Sequence, residues 1–179
     1  MHTTDIRFPI GRFEKPETCT LEELQNMLNA LENFPNKVIA LAGHLPAEQL
    51  NWRYRPDGWT LKQVVHHCSD SHFNCLLRVK LSLTEDKPVI KPYIEAKWAE
   101  LPDSLEDNLS ASIQILKGVH YKLNVILRTL SEDDLKRIYL HPQYNSTFSI
   151  MQVIALYSWH CNHHYAHMEQ AILSKGKYN

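Results

Sequence analysis

Three capping boxes limit what this 179-residue chain can fold into. Thr20 with Glu23, Thr60 with Gln63 and Ser149 with Gln152 each place a hydroxyl three residues before a Glu or Gln, the reciprocal pairing that satisfies the free amides of a helix start. A long stretch of helical apolar period follows each one. These starts predict a first helix from about Thr20, interrupted near Pro35 and resuming to about Ala42; a second from about Leu61 to Leu83; a third from about Ser104 to Leu130; and a fourth from about Ile150 to Lys175. Asp103 with Glu106 and Ser131 with Asp134 are weaker boxes, and Trp59 before Thr60 is placed to staple onto Val64. Strand signals are confined to IYLHPQYNSTF, a candidate short hairpin, and glycines number only 5. The expectation is an all-α four-helix bundle in one domain spanning 1–179, with long loops between helices 2 and 3 (KPVIKPYIEAKWAELPD) and between helices 3 and 4.

Charge and composition exclude several function classes. With 19 basic residues against 20 acidic ones the chain has no basic stripe for neutralising phosphates, so nucleic acid is not an expected partner. No apolar run approaches the roughly 18–20 residues that span a bilayer, and MHTTDIRFPIGRFEKPE has charges and prolines where a signal peptide needs an apolar stretch, so no membrane partner and a cytoplasmic location are expected. Cys19, Cys68, Cys75 and Cys161 form no C-x-x-C pair and read as reduced packing residues.

Histidine is the unusual component, with 11 in the chain and 7 of them in two short segments: His66, His67 and His72, then His160, His163, His164 and His167. On the fourth helix Ile150, Val153, Ile154, Tyr157, Cys161, Met168 and Ile172 form the buried stripe, and His160 and His164 fall one turn apart at its margin. Residues four apart have Cβ atoms roughly 5–6 Å apart, close enough for two imidazoles to share one metal. On the second helix Leu61, Val64, Val65, Cys68 and Val79 form the core stripe, while Gln63, His67, Asp70, Ser71, Asn74 and Arg78 form a polar face beside it, so His67 points to the wall of a cleft. One imidazole from one helix and two from another would give three neutral ligands with a fourth position open for a reactant. His72 reads as a hydrogen-bonded core histidine, His66 as solvent-facing or supporting, and His163 and His167 as groups that orient ligands, bind substrate or cover surface.

At these residues the chain resembles the DinB superfamily of metal-binding helical bundles, and within it the YfiT-like metal-dependent hydrolases and bacillithiol-transferase-like proteins. RFPIGRF, YRPDGWTLKQVVHHCSDSHFN, LTEDKPVIKPYIEAKWAELPD and LYSWHCNHHYAHM carry the resemblance nearly end to end. It implies that the histidine eight residues after Trp59, which is His67, and the H-x-x-x-H pair His160 and His164 are the metal ligands. It also implies a homodimer and one divalent transition metal per chain, zinc or nickel. The function expected is that of a metal-dependent enzyme acting on a small molecule, either a hydrolase activating water or a thiol S-transferase activating a low-molecular-weight thiol; the alternative is a non-catalytic metal-binding stress-response module. HCNHH lacks the glutamate of H-E-x-x-H, which argues against peptide hydrolysis. Asp70 and Glu95 are the acid/base candidates, Arg78 is the candidate for holding a substrate carboxylate, and no catalytic residue is assigned.

Overall fold

The structure is a computed structural model that describes residues 5–179; the first four residues of the charged N-terminal stretch lie outside it. Four long helices make up the bundle: α1 (Leu21–Ala42), α3 (Leu61–Thr84), α5 (Ser110–Leu127) and α7 (Ile150–Ser174). Between them lie α2 (Ala47–Leu50), α4 (Glu95–Trp98), a 3-10 turn at Pro102–Leu105, and α6 (Glu132–Lys136). The hairpin of β1 (Ile138–His141) and β2 (Ser146–Ser149) pairs antiparallel, Ile138 opposite Ser149 and His141 opposite Ser146. Its turn is closed by Asn145 in the left-handed region. None of the described helices is long and apolar enough to cross a membrane.

Each of the three strong capping boxes is formed, as is the Ser131–Asp134 box that opens α6. Two expected boundaries are wrong. α1 is not interrupted at Pro35: the proline sits inside a continuous helix, buried with Leu28, Leu31, Phe34 and Val38. A proline removes one amide and crowds the preceding turn, and here tertiary packing outweighs that cost. The third helix begins at Ser110 and not at Ser104. Residues 106–109 are held out of helix by contacts from α3: His66 Nε2 lies 3.0 Å from Glu106 O, and the Lys62 ammonium bonds Asp107 at 2.7 Å. Asn108 then accepts from the Ser110 amide.

Neighbours around the bundle run α1, α5, α3, α7 and back to α1. Sequence-consecutive α1 and α3 therefore face each other diagonally, as do α5 and α7, which requires long connections. The core is filled by Val38 and Phe34 of α1, Val64, Val65 and Cys68 of α3, Leu116 and Leu123 of α5, and Ile154, Cys161 and Met168 of α7. All four cysteines are free thiols. α3 is enclosed on nearly every side, because the 88–105 segment and the hairpin cover the polar face that the sequence assigned to a cleft wall. Gln63 there donates to Ala99 O at 2.8 Å, and His66, expected to face solvent, is buried and bonded to Ser112 Oγ at 2.8 Å. Burying a polar side chain is tolerated where its hydrogen bonds are made, and these are.

Candidate metal centre

Packing of α3 against α7 brings three of the predicted side chains together. His67 on α3 and His160 and His164 on α7 each offer one ring nitrogen, and these nitrogens lie within 4.8 Å of one another. Nε2 of His67 and Nε2 of His160 are 3.3 Å apart. The helical four-residue spacing puts the His160 and His164 rings 4.3 Å apart, edge to face. The Trp59 ring lies 4.8 Å from that of His67.

All three imidazoles are neutral at pH 7. Burial holds His67 down at about 4, with the neighbouring His163 adding to the effect. His160 and His164 are lowered well below 6.5, first by burial and then by the other imidazoles of the cluster. Neutral imidazoles keep a lone pair for a metal, which protonated ones do not.

Two other groups also bring potential ligands within the same distance: His72, His120 and Cys161, and His163, His164 and His167. The first has no spare donor. Both nitrogens of His72 are engaged, with His120 at 2.6 Å and His160 at 2.9 Å, and the second nitrogen of His120 meets Leu31 O at 2.6 Å. The Cys161 thiol is pushed well above its ordinary value by burial and stays protonated. In the second group both nitrogens of His167 are engaged as well, with Arg7 O at 3.2 Å and His164 Nδ1 at 3.4 Å. His167 also stacks on Tyr54 with ring centroids 4.0 Å apart. His72 is thus the hydrogen-bonded core histidine expected, whereas His120 was not singled out from the sequence. The available signal was a histidine in the apolar stripe of Leu116, Val119 and Leu123.

The three-imidazole cluster opens on a cavity of about 630 Å³. Arg78 and Glu95 line it, but Asp70 does not; that residue lies along a separate apolar groove with Phe73 and Trp98. Glu95 is an exposed residue of the lining, and partial desolvation raises its carboxyl above the ordinary value, partly offset by Arg78. Arg78 is 9% exposed, its hydrogen bond is a long one of 3.5 Å to the Tyr157 hydroxyl, and it forms no ion pair among the described residues. His141 Nδ1 and His163 Nδ1, both in the cavity lining, are buried without a partner among the described residues. Such groups call for a polar ligand.

Residues 30–168 match a family model described as the DinB superfamily. A protein of Halalkalibacterium halodurans is 40% identical over 94% of this chain and 98% of its own length. A Bacillus subtilis protein, YfiT, is 37% identical over 95% of this chain and 96% of its own length. Both are named "Putative metal-dependent hydrolase". The solved structure of Bacillus subtilis YfiT superimposes with a TM-score of 0.89, covering 93% of this chain and 95% of that one. It is described as "a probable metal-dependent hydrolase with an unusual four-helix bundle topology". The diagonal placement of consecutive helices is in keeping with that description.

Proposed function

Since the chain belongs to the DinB superfamily, we propose that it is a metal-dependent enzyme for small molecules, with one zinc or nickel ion held by His67, His160 and His164. The observation that carries this reading is the meeting of three neutral imidazoles from two helices at the wall of a cavity large enough for a reactant. One pair of the donor set already has the spacing such an ion requires. Two nitrogens bonded to one tetrahedral zinc at about 2.0–2.1 Å stand roughly 3.3–3.4 Å apart, and the His67–His160 separation is 3.3 Å. Structural zinc sites usually close with four protein ligands, and a three-ligand site leaves a position free. A divalent ion held there supplies positive charge that acidifies a water or a thiol at neutral pH.

The remaining roles belong to this chain's own side chains. His67, His160 and His164 stay neutral, so each can turn a lone pair to the ion. Glu95 is the carboxylate of the described cavity lining and is placed to take a proton from the reactant. Arg78 holds an anionic group of the substrate, because this buried guanidinium has no ion pair among the described residues and gains one when the group arrives. Arg78→Met is therefore expected to leave the melting temperature unchanged or higher and to raise KM for carboxylate-bearing substrates about 10–100-fold, with neutral analogues unaffected. Equal KM changes for charged and neutral substrates in a steady-state comparison would remove that role.

Hydrolysis and thiol transfer are adjacent uses of such a centre. A panel of esters, amides and electrophiles, assayed with and without low-molecular-weight thiols on metal-loaded protein, separates them. Turnover that needs the thiol identifies an S-transferase, and turnover without it a hydrolase. No metal-dependent turnover in either arm, with the metal stoichiometrically bound, would favour the non-catalytic module. A homodimer accompanies this reading, supported by the exposed Phe73, Trp98 and Ile115 along one groove; sedimentation equilibrium is expected to give the mass of two chains, and a single-chain mass would refute it.

A further inference from the structure

Pro35 has no N–H, so the carbonyl four residues before it in α1, that of Leu31, has lost its helical donor. The vacancy is filled from across the bundle. His120 Nδ1 on α5 lies 2.6 Å from Leu31 O, His120 Nε2 lies 2.6 Å from His72 Nδ1 on α3, and His72 Nε2 lies 2.9 Å from His160 Nδ1 on α7. All four long helices contribute a member to this chain of hydrogen bonds. Its end point sets its direction, because a carbonyl oxygen only accepts. His120 must donate from Nδ1, which leaves its Nε2 to accept. His72 must then donate from Nδ1 and accept at Nε2, so His160 donates from Nδ1 and its Nε2 carries a lone pair.

We propose that this carbonyl-anchored relay, Leu31 O to His120 to His72 to His160, fixes His160 in the tautomer that presents an unprotonated Nε2 to the cavity, which makes His72 and His120 positioning residues and the proline gap in α1 the source of the anchor. The inference rests on the metal-site reading above. Reversing any ring would set two lone pairs or two N–H groups against each other across the same short distance, so a choice made at Leu31 reaches His160 undiminished. Leaving a buried donor or acceptor unmet is costly, which holds each ring to one orientation. The relay is not a proton exit, since it ends on a backbone carbonyl, and Leu31, His72 and His120 are at most 3% exposed. A shorter chain of the same kind serves His164, the other candidate ligand on α7: Arg7 O is met by His167 Nε2, and His167 Nδ1 by His164 Nδ1, which leaves His164 Nε2 unprotonated. Partners on the far nitrogen of a ligating histidine orient the ring, and removing them commonly costs about 10–100-fold in metal affinity.

The test is heteronuclear NMR of the ring nitrogens in chelator-treated protein, paired with zinc affinity measured by competition. In the wild type, Nδ1 of His120, His72 and His160 is expected to be the protonated nitrogen of each ring. Protonation of His160 at Nε2 instead would overturn the relay without recourse to any variant. His120→Leu removes the acceptor for His72; the His160 signal should split between tautomers and zinc affinity should fall about 10–100-fold. His120→Gln, which carries both an acceptor and a donor, should restore the single tautomer and most of the affinity. A merely structural His120 would alter the melting temperature of His120→Leu but leave the His160 tautomer and zinc affinity at wild-type values, and that result also overturns the proposal while leaving the three-histidine site intact. Conversely, a wild type that binds no zinc defeats the metal reading, while the tautomers of the chelated protein still decide the relay.

Discussion

Replacing His160 by alanine is expected to abolish stoichiometric metal binding and all metal-dependent turnover while the bundle remains folded. Two donors would survive, one on each helix, and a two-imidazole remnant cannot hold a divalent ion against water in the way three converging nitrogens do. The structural cost is bounded. His160 is a half-buried residue at the edge of the α7 stripe, and its loss strands one buried acceptor, Nε2 of His72. A stranded acceptor costs about 1–3 kcal/mol, which a domain of ordinary stability, about 5–15 kcal/mol, survives. Metal per chain by plasma mass spectrometry and helicity by circular dichroism check both halves. Wild-type metal content in His160→Ala would show that the ligands lie elsewhere.

Acid is expected to start destabilising the chelated protein near pH 6.5, above the pH at which carboxylates protonate. His67, His120 and His163 are held at about 4, and His167 at about 3, in each case chiefly by burial; His72, His160 and His164 are lowered well below their ordinary value for the same reason. Histidines of the unfolded chain take up protons near 6.5. Below that pH the unfolded state binds more protons than the folded one, so stability falls as pH falls. The contribution is fully present above about 6.5 and is lost progressively as the pH drops through about 4. The fully buried His67 alone accounts for about 3 kcal/mol on this scale. The other buried histidines act in the same direction. Urea unfolding at a series of pH values reads this directly; a midpoint that stays flat from pH 7 to pH 4.5 would contradict the burial of neutral histidines.

Much of this was legible in the chain because helix starts and helical period are local signals. Thr60, Thr20 and Ser149 cap where their hydroxyls predict, and the apolar stripe of α7 from Ile150 to Met168 is buried as its spacing requires. The same periodicity put His67, His160 and His164 on facing margins, and the geometry brings them together. What was missed depends on partners remote in sequence. Pro35 reads as a helix breaker until His120, 85 positions later, is seen to occupy the carbonyl that it frees. Ser104 reads as the start of a helix until Lys62 and His66 are seen to hold residues 106–109 in another conformation. The polar face of α3 reads as solvated until the loop and hairpin fold over it, leaving Arg78 buried beside the cavity and Asp70 facing a different groove.

The central claim is where the ion sits, and anomalous diffraction at the zinc edge from crystals of tag-free, zinc-loaded protein tests it most directly. One peak per chain is expected, within about 2.0–2.1 Å of Nε2 of His67, His160 and His164. A peak among His72, His120 and Cys161, or among His163, His164 and His167 without His67 and His160, would contradict the account, as would an empty map at full zinc loading.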